Sequence, residues 1–277
     1  WRTGRIYRGR SDKALPFRVG KSKSMALYKT RALVIKSINL SESDRLVTFM
    51  TENHGKVKCV AKGARKIKNQ FWGALEPMSL IHLIYFGKEH QSLFRLNHSD
   101  IIESFQTIRD DFDKLYTGVY FLDLIDAMIL EGHREKKIFT LLYQSLAALN
   151  QQTELEPLRR LFEIRLLSLS GYTPQLEHCV LCRKLPENGM IPFSYAHNGI
   201  LCNACSNRAR VDIQFSTGTK NYIKKLLDVE IKTCERLKFP KAQTDEIEKV
   251  THRLVLSHLG RELKSYPFIK NMAEFSC

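Results

Sequence analysis

Four of the seven cysteines lie in two close pairs whose spacing is suited to binding a metal ion. Cys179 and Cys182 form one CxxC motif, Cys202 and Cys205 form a second, and 19 residues separate the two pairs. Two residues between thiols let both sulfurs of one turn face the same ion, and two such turns complete a tetrahedral shell. The spacing therefore predicts one structural Zn²⁺ ion held by these four cysteines.

Two other states of the cysteine group stay open: an iron–sulfur cluster, and a metal-free or disulfide-bonded form. A closed shell of four thiolates leaves no coordination position for water or substrate, so we expect no catalysis at this metal. His178 and His197 could replace a thiolate, but four cysteines make this unnecessary. Cys59, Cys234 and Cys277 have no partner at ligand spacing, and Cys59 is expected to pack as a small apolar residue.

A second group of residues indicates contact with a polyanion. No acidic residue occurs between Glu52 and Glu76, and basic residues crowd the first part of this stretch. These candidate nucleic-acid contacts are Lys56, Lys58, Lys62, Arg65, Lys66 and Lys68. If 56–62 is a strand, alternation places Lys56, Lys58 and Lys62 on the face opposite the apolar side chains.

The residues after this strand favour a loop that could approach a phosphate. Gly63 and Ala64 offer little side-chain obstruction, so the backbone amides and Arg65 could contact the sugar-phosphate chain. Phe71 and Trp72 end the stretch, either as rings that stack on bases or as apolar cover for a core, and we favour the second role. A solvated surface that binds nothing remains the alternative for the whole stretch.

The best catalytic candidate is the sequence His133-Arg134-Glu135, which resembles the HxE motif of zinc deaminases. The first CxxC follows His178 instead of the proline of that signature, and its natural partner is the second CxxC. An interhelical loop explains His133 and Glu135 better. The sequence contains no glycine-rich phosphate loop, nucleophile elbow or HExxH motif, so we predict a binding protein and not an enzyme.

The basic stretch lies in a part of the chain with the pattern of β-strands. Short apolar or alternating runs, separated by polar turns, cover 32–35, 46–50, 57–61, 80–86 and 93–102. Five strands over this length predict a small β-barrel at 25–104. An OB-fold fits this pattern, and an SH3-like barrel fits nearly as well.

The remainder of the chain has mainly helical periodicity, which predicts an α+β multidomain protein. Three stripes at a 3.6-residue period predict a helical domain at 105–172. The stripes are Phe112, Leu115, Tyr116, Val119 and Leu122; Ile138, Leu141, Leu142, Leu146 and Leu149; and Leu158, Leu161, Phe162, Leu166 and Leu169. The cysteine module is expected as an insertion at 173–213, and helices at 214–277, with Thr244 as an N-terminal cap, are expected to pack on the helical domain.

The chain of 277 residues has a formal net charge of +15, which favours a polyanionic partner. Residues 1–24 carry eight basic residues against one aspartate, and we interpret them as vector-derived sequence, although a natural basic arm is the alternative. Without them the net charge falls to +8. No apolar run is long enough to span a membrane, and seven cysteines without a secretory signal favour the reducing cytoplasm.

Several ordered motifs resemble the bacterial RecO family of recombination mediators. The resemblance extends over nearly all of residues 25–270, and its specificity comes from the order of the motifs and not from any one of them. They are 43–48 (SDRLVT), 52–56 (ENHGK), 61–66 (AKGARK), 75–77 (LEP), Phe162-Glu163 with Leu166-Leu167, 171–172 (GY), Cys179 and the second CxxC after Gly199.

The resemblance implies an OB-fold, a helical domain and a zinc module without enzymatic turnover. RecO proteins bind single- and double-stranded DNA, anneal complementary strands, and work with RecR and the single-stranded DNA-binding protein to load RecA. By this resemblance Lys56, Lys62, Arg65 and Lys66 are DNA contacts. The helical domain of the family can receive the carboxy-terminal tail of the single-strand binder; Arg159, Arg160 and Arg165 are candidates for contacting it, but a solvated helix face is the better interpretation of each.

A second function class remains compatible with the sequence. OB-folds and four-cysteine modules also occur in RNA-binding and ribosome-associated proteins. Preference for structured RNA over single-stranded DNA would favour that alternative, and acceleration of DNA annealing would favour DNA repair.

Overall fold

The computed structural model describes residues 25–71, 73–88, 91–187, 189–237 and 241–275. The predicted vector-derived segment, Trp72 and Cys277 lie outside these ranges. No helix in the described ranges is both long enough and apolar enough to cross a membrane.

The N-terminal part is a five-stranded sheet that closes on itself in the order β1-β2-β3-β5-β4. Its strands are β1 (Ala26–Asn39), β2 (Arg45–Thr51), β3 (Gly55–Ala61), β4 (Leu80–Gly87) and β5 (Phe94–Glu103). A parallel contact between β3 and β5 completes the ring, while the other pairs are antiparallel. The prediction of an OB-type fold is confirmed, and we call residues 25–104 the OB domain.

The OB domain encloses apolar side chains that alternate along its strands. Val57, Cys59 and Ala61 of β3 point into this core, as alternation predicts, and Phe49 of β2 and Ile81 of β4 join them. All five are buried. Alternation therefore defines which face of β3 remains for other contacts.

Helices follow the OB domain. They are α1 (Gln106–Arg109), α2 (Phe112–Met128), α3 (Lys136–Gln151) and α4 (Glu156–Leu169). The predicted stripe of α3 is fully confirmed as core. In α2, Leu122 is buried and Leu115, Tyr116 and Val119 pack against the core, but Phe112 is exposed, and Phe121, Leu124 and Ile125 also belong to the buried face. Phe121 stacks on Phe162 of α4 with ring centroids 4.1 Å apart.

The cysteine segment forms a small antiparallel sheet in the order β7-β6-β8, together with one short helix. The elements are β6 (Met190–Ser194), β7 (Gly199–Ile200), α5 (Asn203–Ser206) and β8 (Ile213–Ser216). Ile191, Phe193 and Phe215 of this sheet belong to the same buried core as the helices. The module is therefore packed on the helical region and is not a separate lobe.

The chain ends with helices that return to the same core. They are α6 (Thr217–Asp228), a 3₁₀ helix (Ile231–Arg236), α7 (Lys241–Leu259) and α8 (Tyr266–Phe275). Val250 and Leu254 of α7 are buried in this core. Helix α7 begins before the predicted cap Thr244 and ends at Leu259, followed by Gly260 with a positive φ of 67°, a conformation that favours glycine.

The expectation of a solvated face for three arginines of α4 is wrong. Arg160 is 1% exposed, and its guanidinium contacts the carboxylates of Glu156 and Glu163 at 2.7 and 2.9 Å. Arg159 is also buried and bonds to Glu156, while Arg165 donates to backbone carbonyls of α6 and the residue after it. Glutamates of α4 therefore pair with Arg159 and Arg160, and backbone carbonyls at the end of α6 accept hydrogen bonds from Arg165.

Candidate nucleic-acid interface and metal centre

A loop after β3 carries most of the predicted nucleic-acid contacts. Lys62, Arg65, Lys66 and Lys68 are exposed, and none of them has an ion pair with a described carboxylate within 4.0 Å. We call residues 62–70 the basic loop. Its cations therefore face solvent without short-range neutralisation.

The loop between β1 and β2 holds the basic loop in place. The amide of Gly63 donates to Asp44 Oδ1 at 2.8 Å, the amide of Arg65 donates to the Ser43 carbonyl at 3.0 Å, and the Arg65 guanidinium donates to the Ser41 carbonyl at 2.6 Å. Sequence reasoning missed these supporting residues. Ser41 and Ser43, close before Asp44, are a signal for such side-chain and backbone hydrogen bonding.

Asp44 fastens the start of the basic loop as an ionised carboxylate. Hydrogen bonds from the Gly63 amide and the Ser43 hydroxyl lower the pKa of Asp44, and Lys62 and Lys66 lower it further by charge attraction. Asp44 therefore stays charged at neutral pH. One carboxylate against four exposed cations leaves the surface basic.

A surface cavity of about 530 Å³ adjoins the basic loop. It is lined by Arg65 and Lys66, by the apolar Phe71 and Leu75, and by Arg45 of β2 with its partner Glu76 at 3.3 Å. Phe71 and Leu75 are almost fully buried, so Arg65 and Lys66 are the groups of this cavity that suit the phosphates of a nucleic-acid strand. Sequence analysis did not identify Arg45.

Lys56 has a different environment from the basic loop. Lys56 is 6% exposed, and its ammonium donates to the Asp126 backbone carbonyl at 2.6 Å and contacts Asp126 Oδ1 at 3.3 Å. The face of β3 that carries Lys56 is covered by the end of α2. The expectation that Lys56 projects towards a ligand is therefore wrong for this structure.

Lys58 is also paired across the same contact, with its ammonium 2.6 Å from Glu131 Oε1. The hydrogen bond with Glu131 raises the pKa of Lys58. Lys58 is only partly exposed. Both lysines of β3 are therefore paired, Lys56 with Asp126 of α2 and Lys58 with Glu131 after this helix.

Two apolar predictions near the basic stretch concern Phe71 and Cys59. Phe71 is 3% exposed and lies in the core of the OB domain, so it covers the core and does not offer a free stacking face. Cys59 is fully buried, and burial raises the pKa of its thiol strongly. Both residues are structural.

The four predicted metal ligands come together. The sulfurs of Cys179, Cys182, Cys202 and Cys205 all lie within 4.8 Å of one another. A tetrahedral site with metal–sulfur bonds of about 2.3 Å has sulfur–sulfur distances of about 3.8 Å. The Sγ atoms of Cys182 and Cys202 are 3.5 Å apart, so this cluster could hold a metal ion.

The backbone around the cysteines favours thiolates. Burial opposes ionisation of Cys179, but amide donors from Leu181, Cys182 and Cys202 outweigh it and lower its pKa to about 6. The amide of Cys205 lowers the pKa of Cys202, whereas neighbouring thiols raise that of Cys205 to about 12. One thiol thus keeps its proton until an ion supplies a compensating positive charge.

The rejected catalytic motif does not approach the cysteines. His133 and Glu135 lie in the loop between α2 and α3, as predicted, and the Glu135 side chain accepts from the Lys137 amide to cap α3. His197 contacts the Ser194 hydroxyl at 3.2 Å. The metal-ligating group found in the described ranges contains cysteines alone.

The comparison with protein-family models gives two matches that together span nearly all of the described chain. Residues 25–105 match "Recombination protein O N terminal", and residues 109–267 match "Recombination protein O C terminal". The chain belongs to the RecO family. This family acts in DNA repair and recombination, which confirms the resemblance seen in the sequence.

Curated RecO proteins are similar to the chain over most of its length. The DNA repair protein RecO of Symbiobacterium thermophilum is 32% identical over 251 residues, which cover 90% of this chain and 98% of the relative. That of Syntrophus aciditrophicus is 36% identical and covers 87% and 94%, and that of Acetivibrio thermocellus is 30% identical and covers 91% and 100%.

Proposed function

We propose that this chain binds single- and double-stranded DNA through the basic loop and acts as a recombination mediator. The observation that carries the proposal is the group of exposed cations at Lys62, Arg65, Lys66 and Lys68, held on an OB domain by the β1–β2 loop. OB-folds bind oligonucleotides with the face of strands 2 and 3 and with the β1–β2 and β4–β5 loops, and the basic loop is hydrogen-bonded to the β1–β2 loop. The proposed site omits Lys56 and Lys58, because carboxylates of the helical region occupy both.

Annealing of complementary strands follows from this surface without a catalytic group, and we therefore propose no enzymatic activity. Two strands repel each other through their phosphates, and cations that neutralise both strands lower this repulsion. The exposed side chains of the basic loop contact phosphates without reading bases, because the amides of Gly63 and Arg65 already donate to the β1–β2 loop. Annealing is therefore expected to be independent of sequence.

We further propose that the cysteine cluster holds one structural Zn²⁺ ion. Thiolates are ligands that zinc favours, and a shell of four leaves no open position for substrate. The ion would join the turn at Cys179 to the start of α5 and stabilise the small sheet. Its role is therefore structural support beside the helical core.

A larger cavity, of about 590 Å³, is the proposed site for the acidic carboxy-terminal tail of the single-stranded DNA-binding protein. This cavity lies between α3, α4 and α6. Its apolar lining is Leu141, Leu169, Leu227 and Ile231, and its charged lining is Glu135, Lys136, Lys137 and Arg165. Lys136 pairs with Glu52 at 2.9 Å and Arg165 donates to backbone carbonyls, so Lys137 is the cation that we propose contacts the tail. The positive end of the α3 dipole adds to the attraction for an acidic peptide.

By its family, we also propose that the chain works with RecR to load RecA on DNA coated by the single-strand binder, in the bacterial cytoplasm at the nucleoid. Complementary oligonucleotides coated with the cognate binder should anneal faster when this protein is added. No acceleration, together with preferential binding of structured RNA, would support the RNA-binding alternative. The curated relatives are DNA repair proteins, which favours DNA.

A further inference from the structure

Ile67 is the most exposed large hydrophobic residue of the described ranges. Its exposed fraction is 98%, and it lies between the exposed Lys66 and Lys68 at the tip of the basic loop. A branched aliphatic side chain in water contributes nothing to the core of its own domain. Its position among cations indicates a ligand that has both negative charge and apolar surface.

The structure holds both ends of the loop and leaves this tip free. The Asn69 side chain donates to the Lys66 carbonyl at 2.9 Å and accepts from the Phe71 amide at 2.8 Å, so it bridges the chain around Ile67. Gln70 donates to the Asn97 carbonyl at 3.1 Å. With Phe71 buried, these contacts keep Ile67 from folding back onto the OB core.

A nucleic-acid strand has the chemistry that this tip requires. Its phosphates suit Lys66 and Lys68, and the faces of two neighbouring bases offer an apolar slot between them. Isoleucine is one of the side chains that DNA-binding proteins insert between base steps, where it unstacks them. A protein partner would satisfy the apolar side chain but gives no specific reason for a cation on each side.

We propose that Ile67 inserts between two adjacent bases of the bound strand while the flanking lysines contact its phosphates. The inference rests on the proposed DNA binding by the basic loop. Insertion separates neighbouring bases and leaves their pairing edges open. The loop would thus prepare a single strand for pairing as well as hold it.

The test uses the full chain and a single-stranded oligonucleotide that carries 2-aminopurine between two purines. Fluorescence of 2-aminopurine rises when it is unstacked, and an aliphatic side chain does not quench it. We compare the unmodified protein with Ile67→Ala and Ile67→Leu at saturating protein. Leu185→Ala is a matched control, because Leu185 is an aliphatic residue 76% exposed in the cysteine module.

Binding of the unmodified protein should raise the fluorescence, and Ile67→Ala should remove at least about half of this rise and weaken binding about fivefold. The salt dependence of binding should not change, because no charge is removed. Ile67→Leu and Leu185→Ala should behave as the unmodified protein.

An undiminished rise for Ile67→Ala, in a protein that binds with the expected salt dependence, overturns the insertion and leaves the proposed DNA binding intact. Failure of the unmodified protein to bind the oligonucleotide overturns both. The two proposals are therefore separated by one titration with two readouts.

Discussion

Lys56 of β3 and Asp126 of α2 join the OB domain to the helical region, with the lysine ammonium 2.6 Å from the Asp126 carbonyl oxygen. The Lys56 carbonyl accepts from the Gly132 amide at 2.9 Å beside this contact. At Gly55, with φ of 69°, an added Cβ would lie 2.1 Å from the His133 carbonyl oxygen. Close backbone approach and a buried cation thus define one rigid junction.

Replacing Lys56 by methionine tests whether this lysine is structural. The change leaves Asp126 without its nearest cation, although Lys36 lies 3.9 Å from its other oxygen. We expect the free energy of unfolding to fall by about 1–3 kcal/mol, measured by urea denaturation. The salt dependence of DNA binding should stay unchanged.

Lys66→Met is the matched control for Lys56→Met. Lys66 is exposed, so its replacement should leave the free energy of unfolding within about 0.5 kcal/mol of the original and lower the salt dependence of DNA binding. A loss of stability in Lys66→Met together with a lower salt dependence in Lys56→Met would contradict the structural role of Lys56 and the DNA-binding role of Lys66.

Glu52 gives the same junction a dependence on pH. Hydrogen bonds from Arg31 and from Lys136, at the start of α3, lower the pKa of Glu52 from 4.5 to about 2. A lowered pKa in the folded state stabilises the protein fully above the unfolded value near 4.5, and this contribution is lost as the pH falls to about 2. Glu52→Gln should therefore be less stable at pH 6.

Chemical denaturation at several pH values measures this effect. The difference in unfolding free energy between the original protein and Glu52→Gln should shrink from pH 5 to pH 2. Glu42→Gln, at an exposed position of the β1–β2 loop, is the control. A difference that does not vary with pH would show that the Glu52 carboxylate has no such role.

Metal analysis tests the cysteine cluster. The purified chain should contain about one equivalent of zinc, and Cys179→Ser should lose most of it, because three thiolates bind the ion less tightly than four. Less than about half an equivalent after preparation without chelators would argue against a closed site.

The larger cavity yields a prediction about the tail of the single-strand binder. Lys137→Glu should weaken binding of a fluorescent peptide of this tail about tenfold, since the change reverses a charge at the rim. Lys29→Glu makes the same change on exposed β1 and should have little effect. Equal weakening by both variants would indicate attraction by overall charge instead of a defined site.

Local sequence patterns identify elements and short-range sites well in this chain. The four sulfurs lie together, as the CxxC spacing predicts, because each motif holds its two thiols on one turn and only the two turns have to come into contact. Alternation correctly places Cys59 inside the OB domain. Both predictions depend on residues close to one another in the sequence.

The errors concern partners that are distant in sequence or rotated on a helix. Alternation directs Lys56 away from the core but cannot show that Asp126, 70 residues later, covers that face. Phe112 begins the α2 stripe but is exposed at the start of the helix, and the buried face also includes Phe121, which stacks on Phe162 of α4. Arg160 is buried because Glu156 and Glu163 of its own helix neutralise it, which periodicity alone does not reveal.

The salt dependence of single-stranded DNA binding tests the basic loop most directly. Replacing Lys62, Arg65 and Lys66 together by alanine should reduce the log–log slope by about 2, at about 0.7 for each phosphate that the loop no longer neutralises. The control replaces the exposed Lys225, Lys232 and Arg236 by alanine, which removes an equal charge from the C-terminal helices, and should keep the original slope. An unchanged slope in the loop variant, or an equal reduction in the control, would contradict a DNA site on this loop.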